Sequence, residues 1–329
     1  MNMRRHLTFP APPSSLVVAG LRPPKSVRRG TALVAVLWLI AILAMACMAA
    51  MRVISFDMEL ATQKIHGSRA GHMAEAGIAV GSNPAVERDD PILKYYNPET
   101  DEGYEVELIS EGGRFNINAI LLRDDTNFLR SLFIKWGLDL DAAQALVDAL
   151  GDWVDADDEV RLNGAEYEWY EARGRTNQPF NRPFYDINEM RLVRDMDLIE
   201  ALRPDWRDWF TIWSGGLLDI NEARAELIAA AAEVSVEQAA AIPEIVNGPD
   251  GILGTEDDSP FQDAASALAI IGINANARPD IAARFTVGDT TTRVVSTGTA
   301  SGVKRRITAI LRNRSGQPAL LERTEEIIP

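Results

Sequence analysis

Histidine and cysteine are nearly missing. Among 329 residues there is one cysteine, Cys47, and three histidines, His6, His66 and His72, so residues 73–329 contain neither. One cysteine excludes an intrachain disulfide and any cysteine-cluster metal site. Without histidine, the long C-terminal part cannot hold a Ser-His-Asp triad, a histidine-ligated zinc or a histidine general base. It also lacks the G-x-x-x-x-G-K-[ST] and G-x-G-x-x-G phosphate loops and the G-x-S-x-G elbow. Positive charge is scarce too. Lys and Arg total 33 against 48 Asp and Glu, a net charge of −15. Six of the cations lie in residues 1–30, which hold no acid, leaving −21 for the rest. Such a body is a poor partner for a phosphate backbone.

What is present begins with grease. Residues 31–51, TALVAVLWLIAILAMACMAAM, run 21 positions without a charge. As a helix they would span roughly 31 Å, the thickness of a bilayer core. Arg28 and Arg29 precede the run and Arg52 follows it, so the basic flank stays cytoplasmic and the body crosses. Three segment types share this pattern. A secretory signal would be cut near Ala44-Met45-Ala46, and a signal anchor would stay uncut. A prepilin signal would be cut at the basic-apolar junction, where Arg28-Arg29-Gly30-Thr31 supplies a glycine. Residues 52–80 contain no proline, and Ile54, Met58, Ala61 and Ile65 form one helical stripe. A single helix over residues 31–81, half greasy and half amphipathic, has the shape of a pilin spine, and Ser82-Asn83-Pro84 ends it.

The remainder divides by pattern. Residues 84–101 read as loop. Gly103–Ser110 alternates as a strand with Tyr104, Val106 and Leu108 on one face. Strand composition returns only over 283–312, with turns at Gly288-Asp289 and Ser301-Gly302, and 318–323 adds an edge. The expected sheet has three or four antiparallel strands and is built from residues 82–114 and 281–329. Between them, residues 115–280 read as helical, with helices over 128–136, 142–154, 187–192 and 222–233. Asp141 and Asn221 are the expected N-caps. An internal echo links Gly112-Gly-Arg-Phe-Asn-Ile-Asn118 to Gly215-Gly-Leu-Leu-Asp-Ile-Asn221. Asp186-Ile-Asn-Glu189 forms a third, shorter piece. Duplication and simple helix-capping composition both account for it.

Two acidic loops could carry chemistry. With Asp155 as position 1 of a calcium loop, Asp157, Glu159 and Glu166 take positions 3, 5 and 12, all oxygen positions, although Val160 replaces the expected glycine. In the second loop, glycines at 251 and 254 allow Asp250, Asp257 and Asp258 to converge. Paired carboxylates can also cleave glycosidic bonds across a cleft, but acids clustered in short glycine-containing loops fit a hard cation better. No enzymatic activity is expected.

The chain resembles the minor pseudopilin K family of the type II secretion system. Arg29-Gly30 before the apolar run, Asp152-Trp-Val-Asp-Ala-Asp157, Gly164-Ala-Glu166, Asn181-Arg-Pro183, Glu189-Met-Arg-Leu-Val193 and Gly254-Thr-Glu-Asp-Asp258 carry the resemblance. It implies an α+β fold: a long N-terminal helix on a small antiparallel sheet, with a large α-helical domain inserted in the sheet. It implies removal of residues 1–30 after Gly30 by the prepilin peptidase, methylation at Thr31, and Ca2+ in the α-domain. The protein would sit in the inner membrane through residues 31–51, N-terminus cytoplasmic and body periplasmic. Its partners would be the minor pseudopilins I and J, other pseudopilins and the inner-membrane assembly platform. Its place would be the pseudopilus tip, initiating assembly and supporting export of folded proteins across the outer membrane. Most pilins carry Glu at mature position 5 to pair with a neighbour's terminal amine, and here that position is Ala35. A carboxylate in hydrocarbon is costly unless paired. A subunit with none above it can therefore dispense with one. The rival readings are a membrane-anchored helix-hairpin-helix DNA receptor and a minor pilin of a type IV pilus. The first demands basic hairpins, whereas Asp219, Glu222, Glu226, Glu233 and Glu237 face mainly Arg224.

Overall fold

The computed structural model describes residues 29–328, with side chains from Ala32; the leader expected over 1–30 lies outside these but for Arg29 and Gly30. The chain divides into two compact units, Met1–Ala61 and Thr62–Pro329, and helix α1 (Arg29–Gly81) supplies residues to both. No proline interrupts α1. In the first unit Leu33, Trp38, Leu39 and Leu43 are each more than half exposed. An 18-residue window of this helix averages a hydropathy of 2.7, so its length and apolarity suffice to cross a membrane.

In the second unit, α1 packs through its small residues. Gly67, Ala70, Ala74, Gly77 and Gly81 are buried at spacings of three and four, one face of the helix. The stripe read from the sequence, Ile54, Met58, Ala61 and Ile65, stays exposed. Glycine explains the choice of face. A Cβ on Gly298 of the facing strand would lie 2.0 Å from the Ala70 carbonyl oxygen and 2.3 Å from the Ala74 nitrogen. Helix and sheet backbones therefore nearly touch. Past Gly81 the Arg314 guanidinium donates to the carbonyls of Gly81 and Asn83, at 2.7 and 2.8 Å, and to that of Val86. The unpaired end of the helix is thus satisfied.

The sheet has five strands, not three or four. They are β1 (Lys94–Asn97), β2 (Glu102–Ser110) and, after the insertion, β7 (Thr291–Ala300), β8 (Val303–Arg312) and β9 (Ala319–Ile328). The order is β1-β2-β7-β8-β9, antiparallel throughout. β1 escaped the sequence reading because its four residues lack alternation and are largely exposed. β9 runs on past residue 323 because its charges pair across the ladder, Arg305–Glu325 at 2.8 Å and Arg306–Glu326 at 3.1 Å. Ser301 and Gly302, both at positive φ, make the tight β7–β8 turn.

Between β2 and β7 lies the inserted domain: β3 (Phe115–Asn116), α2 (Ile117–Leu122), α3 (Thr126–Lys135), α4 (Leu140–Val154), α5 (Tyr167–Glu171), α6 (Met196–Leu202), β4 (Phe210–Thr211), β5 (Leu218–Asp219), α7 (Ala225–Ala232), α8 (Val236–Ala239), α9 (Ala241–Val246), α10 (Ala264–Ile270), α11 (Pro279–Ala282) and β6 (Phe285–Thr286). It has its own core, including Trp153, Tyr170, Trp206 and Phe285, distinct from the Val86, Leu93, Val106, Leu108, Val294 and Leu311 cluster under the sheet. Because β6 pairs with β5, the insertion extends through Thr286 rather than ending at 280.

The sequence echo is a structural duplication. β3 pairs in parallel with β4 and β5 with β6, and Phe115 N–H to Trp209 O matches Leu218 N–H to Arg284 O, both 2.9 Å. In each half an asparagine clamps a distant phenylalanine through both backbone groups, Asn118 with Phe184 and Asn221 with Phe261. Asn221 is therefore a clamp and not an N-cap, and α7 starts at Ala225. Likewise Asp139, not Asp141, caps α4, accepting from the Ala142 N–H at 2.8 Å. The third piece makes no such clamp, since the Asn188 side chain turns to Asp186 and Arg207.

Candidate metal centre

Each acidic loop lies between a clamping asparagine and its phenylalanine. The first leaves the end of α4 and returns at α5. It is anchored from beneath by Trp153, fully buried, with Tyr170 and Phe180 edge-on at 5.5 and 5.1 Å between centroids. Asp152, also fully buried, accepts the Arg161 N–H at 3.3 Å. Gly164 is required beside it, because a Cβ there would fall 1.9 Å from Asp152 Oδ2. The Arg161 guanidinium reaches Asp152 and Asp155 at 3.3 Å each and Asp124 at 3.7 Å. Residue spacing alone had given no signal for Arg161.

Five sheltered oxygens accept no hydrogen bond: both of Glu166, Oδ1 of Asp155, Oε1 of Gln178 and Oδ1 of Asn181. Glu166 is 6% exposed and lines a cavity of about 910 Å³ with Asp158, Gln178, Pro179 and Asn181. Asn181 is turned by donating its Nδ2 to Asp157 O and Asp158 Oδ1, both at 3.0 Å, which leaves its oxygen free. Burial pushes the Glu166 carboxyl up to about 7, with Asp152, Asp155, Asp158 and Asp157 adding repulsion. Burial likewise raises Asp152 to about 6. Carboxylate and amide oxygens are the donors a hard cation takes, and buried ones rarely lack a partner. Among the described residues no three His, Cys, Asp or Glu side chains gather around one point, so an ion here would draw on the amides as well.

The spacing-derived ligands separate accordingly. Asp155 and Glu166 keep sheltered oxygens free. Asp157 spends Oδ1 on the Glu159 N–H at 2.9 Å, and Glu159 is exposed. Gln178 and Asn181 come from a segment beyond the reach of any loop-spacing rule. In the second loop Asp257 is held below the usual carboxylate range by the Thr255 hydroxyl and the Asp250 N–H. Asp250 Oδ1 accepts from Ile252 N–H, and Asp258 Oδ2 from Gly254 N–H, both at 2.7 Å. Only Asp258 Oδ1 is sheltered without a partner there. That loop supports itself with its own amides.

The carboxyls of the Asp219–Glu222 stretch, which resembles the start of a helix-hairpin-helix module, are engaged internally. Asp219 accepts the Asp289 N–H at 2.7 Å, and Glu222 takes both its hydrogen bonds from Arg88 at 2.9 Å.

A pH dependence follows for metal-free protein. Glu166 and Asp152 bind protons more tightly folded than unfolded, so their contribution is fully present below about pH 4 and is lost as pH rises toward 6–7. Melting midpoints in chelator should show that decline, and Glu166→Gln should remove its upper part. Parallel curves for the two proteins from pH 4.5 to 7.5 would contradict it.

A long N-terminal helix on an antiparallel sheet interrupted by a duplicated helical domain defines a pilin-like protein with an α insertion. The family model for type II secretion system (T2SS) protein K matches residues 113–205. The chain is 26% identical to type II secretion system protein K of Pseudomonas aeruginosa over 258 residues, 70% of this chain and 75% of that protein. It is 37% identical to the Klebsiella pneumoniae protein of the same name over 101 residues, 27% and 31% of the two chains. A solved structure titled as the GspK-GspI-GspJ complex of the enterotoxigenic Escherichia coli type 2 secretion system contains a chain with this fold, at TM-score 0.59 and 16% identity, covering 84% of this chain and 99% of that one. The family model and the relatives agree with the sequence resemblance to type II secretion system protein K, and the solved structure agrees with it in fold.

Proposed function

We propose that this chain is the minor pseudopilin that caps the tip of a type II secretion pseudopilus, initiating its assembly and supporting export of folded proteins. The observation that carries this reading is the duplicated domain between β2 and β7. So large an insertion obstructs stacking inside a fibre but not at its end. Ala35 supports the same place, since a terminal subunit has no further amine to neutralise. On this reading the prepilin peptidase cuts after Gly30 and Thr31 is methylated. Residues 31–51 then cross the inner membrane, with the N-terminus cytoplasmic and the body periplasmic. The E. coli complex suggests the partners, minor pseudopilins I and J, met through the exposed Ile54–Ile65 face of α1 and the β9 edge. The role is structural rather than enzymatic. Calcium would be held in the first loop by Glu166 and Asp155 with Gln178 and Asn181; the second loop, Asp250, Asp257 and Asp258, is the weaker candidate.

Affinity capture of this chain, co-expressed with the I and J pseudopilins of its host, should recover both. Ile65→Glu should cut that recovery at least about fivefold, a charge placed in an apolar contact. Capture of neither partner by the wild-type chain would contradict the proposal.

A further inference from the structure

Arg161 touches two aspartates of the first loop, Asp152 and Asp155, and reaches Asp124 at 3.7 Å. Its guanidinium binds Asp152 and Oδ2 of Asp155, while Oδ1 of Asp155 and both Glu166 oxygens remain without donors. A site is built for it: a Cβ on Gly151 would lie 2.6 Å from its central guanidinium carbon, so the glycine of α4 makes room for this one side chain. The charges that bear on Glu166 are acidic, from Asp152, Asp155, Asp158 and Asp157, and the other guanidinium on this loop, Arg194, donates to the carbonyls of Asn163 and Gly164 rather than to a carboxylate there.

We infer that Arg161 is a resident counter-cation that keeps the first acidic loop folded without metal and weakens its hold on a divalent cation. The inference rests on the calcium reading of that loop. Two charges of one sign sharing Asp155 oppose each other across the carboxylate, and the tethered one is always present. The side chain thus shares the work of neutralising the loop with the ion. Arginine suits this role because its planar fork serves two carboxylates at once, which a lysine ammonium does less well.

The test uses full-length protein in detergent, as wild type, Arg161→Lys and Arg161→Gln, titrated with calcium chloride and melted in excess calcium or in EGTA. Calcium affinity should rise in the order wild type, Lys, Gln, with the Gln variant roughly fivefold or more tighter, for removal of one neighbouring positive charge. The gap between the two melting midpoints should widen in the same order, chiefly because the EGTA midpoint falls. A Gln variant that folds only in calcium is the extreme form of that result, and the Lys variant then carries the affinity comparison. Weaker or unchanged calcium binding in either variant, with a calcium-responsive wild type, would overturn the inference and leave the calcium reading intact. A wild type indifferent to calcium would remove both.

Discussion

Replacing Glu111 by alanine should lower stability by about 3–5 kcal/mol, the cost of stripping one partner from a buried ion-pair network. Glu111 is fully buried where the sheet hands over to the inserted domain. Its Oε1 receives Arg114 at 3.0 Å and Arg293 of β7 at 2.6 Å, and its Oε2 accepts from the Thr211 hydroxyl of β4. One carboxylate therefore ties the start of the insertion, its first parallel strand pair and the sheet. Without it two guanidiniums, 15% and 29% exposed, lose the carboxylate they share and repel each other. A melting midpoint lower by roughly 10 °C is expected for a unit of this size. Glu111→Gln should fall between, since an amide still accepts hydrogen bonds without neutralising charge. A loss under about 1 kcal/mol in the alanine variant would mean that the junction is held by packing alone.

The second large effect is expected at Gly298→Val. The nearest atoms to the added carbon are backbone atoms of Ala70 and Ala74, with the Met73 carbonyl carbon at 3.0 Å, so no side chain can rotate away. Overpacking against backbone costs about 3 kcal/mol or more. Hydrogen exchange should speed over residues 67–81 and β7 while the insertion core around Trp153 and Trp206 keeps its protection. Gly302→Ala is the control, because no atom lies within 4 Å of a Cβ there, though its positive φ adds some strain. Equal protection over 67–81 in Gly298→Val and wild type would refute the close approach of helix and sheet.

These two sites show where the sequence was readable. The apolar run, the alternation through Tyr104, Val106 and Leu108 and the Thr- and Val-rich C-terminal hairpin are periodic signals, and periodicity is local. The echo of Gly112–Asn118 at Gly215–Asn221 was visible too, but its meaning was not. Asn221 looks like a helix cap, yet its amide serves Phe261, forty residues on. The stripe of glycine and alanine on α1 was passed over for Ile54–Ile65 because hydropathy rewards large side chains, while backbone approach needs small ones. At the candidate centre, spacing named Asp155 and Glu166, which keep sheltered oxygens without hydrogen-bond partners. It also named Asp157 and Glu159, which the loop turns outward or satisfies itself, and it had no means to reach Gln178, Asn181 or Arg161.

Most directly, the account is tested by the intact mass of the protein extracted from the membrane of its host. It predicts a chain beginning at Thr31 and carrying one added methyl group. A full-length mass, or one beginning after Ala46, would contradict prepilin processing and with it the place at the pseudopilus tip.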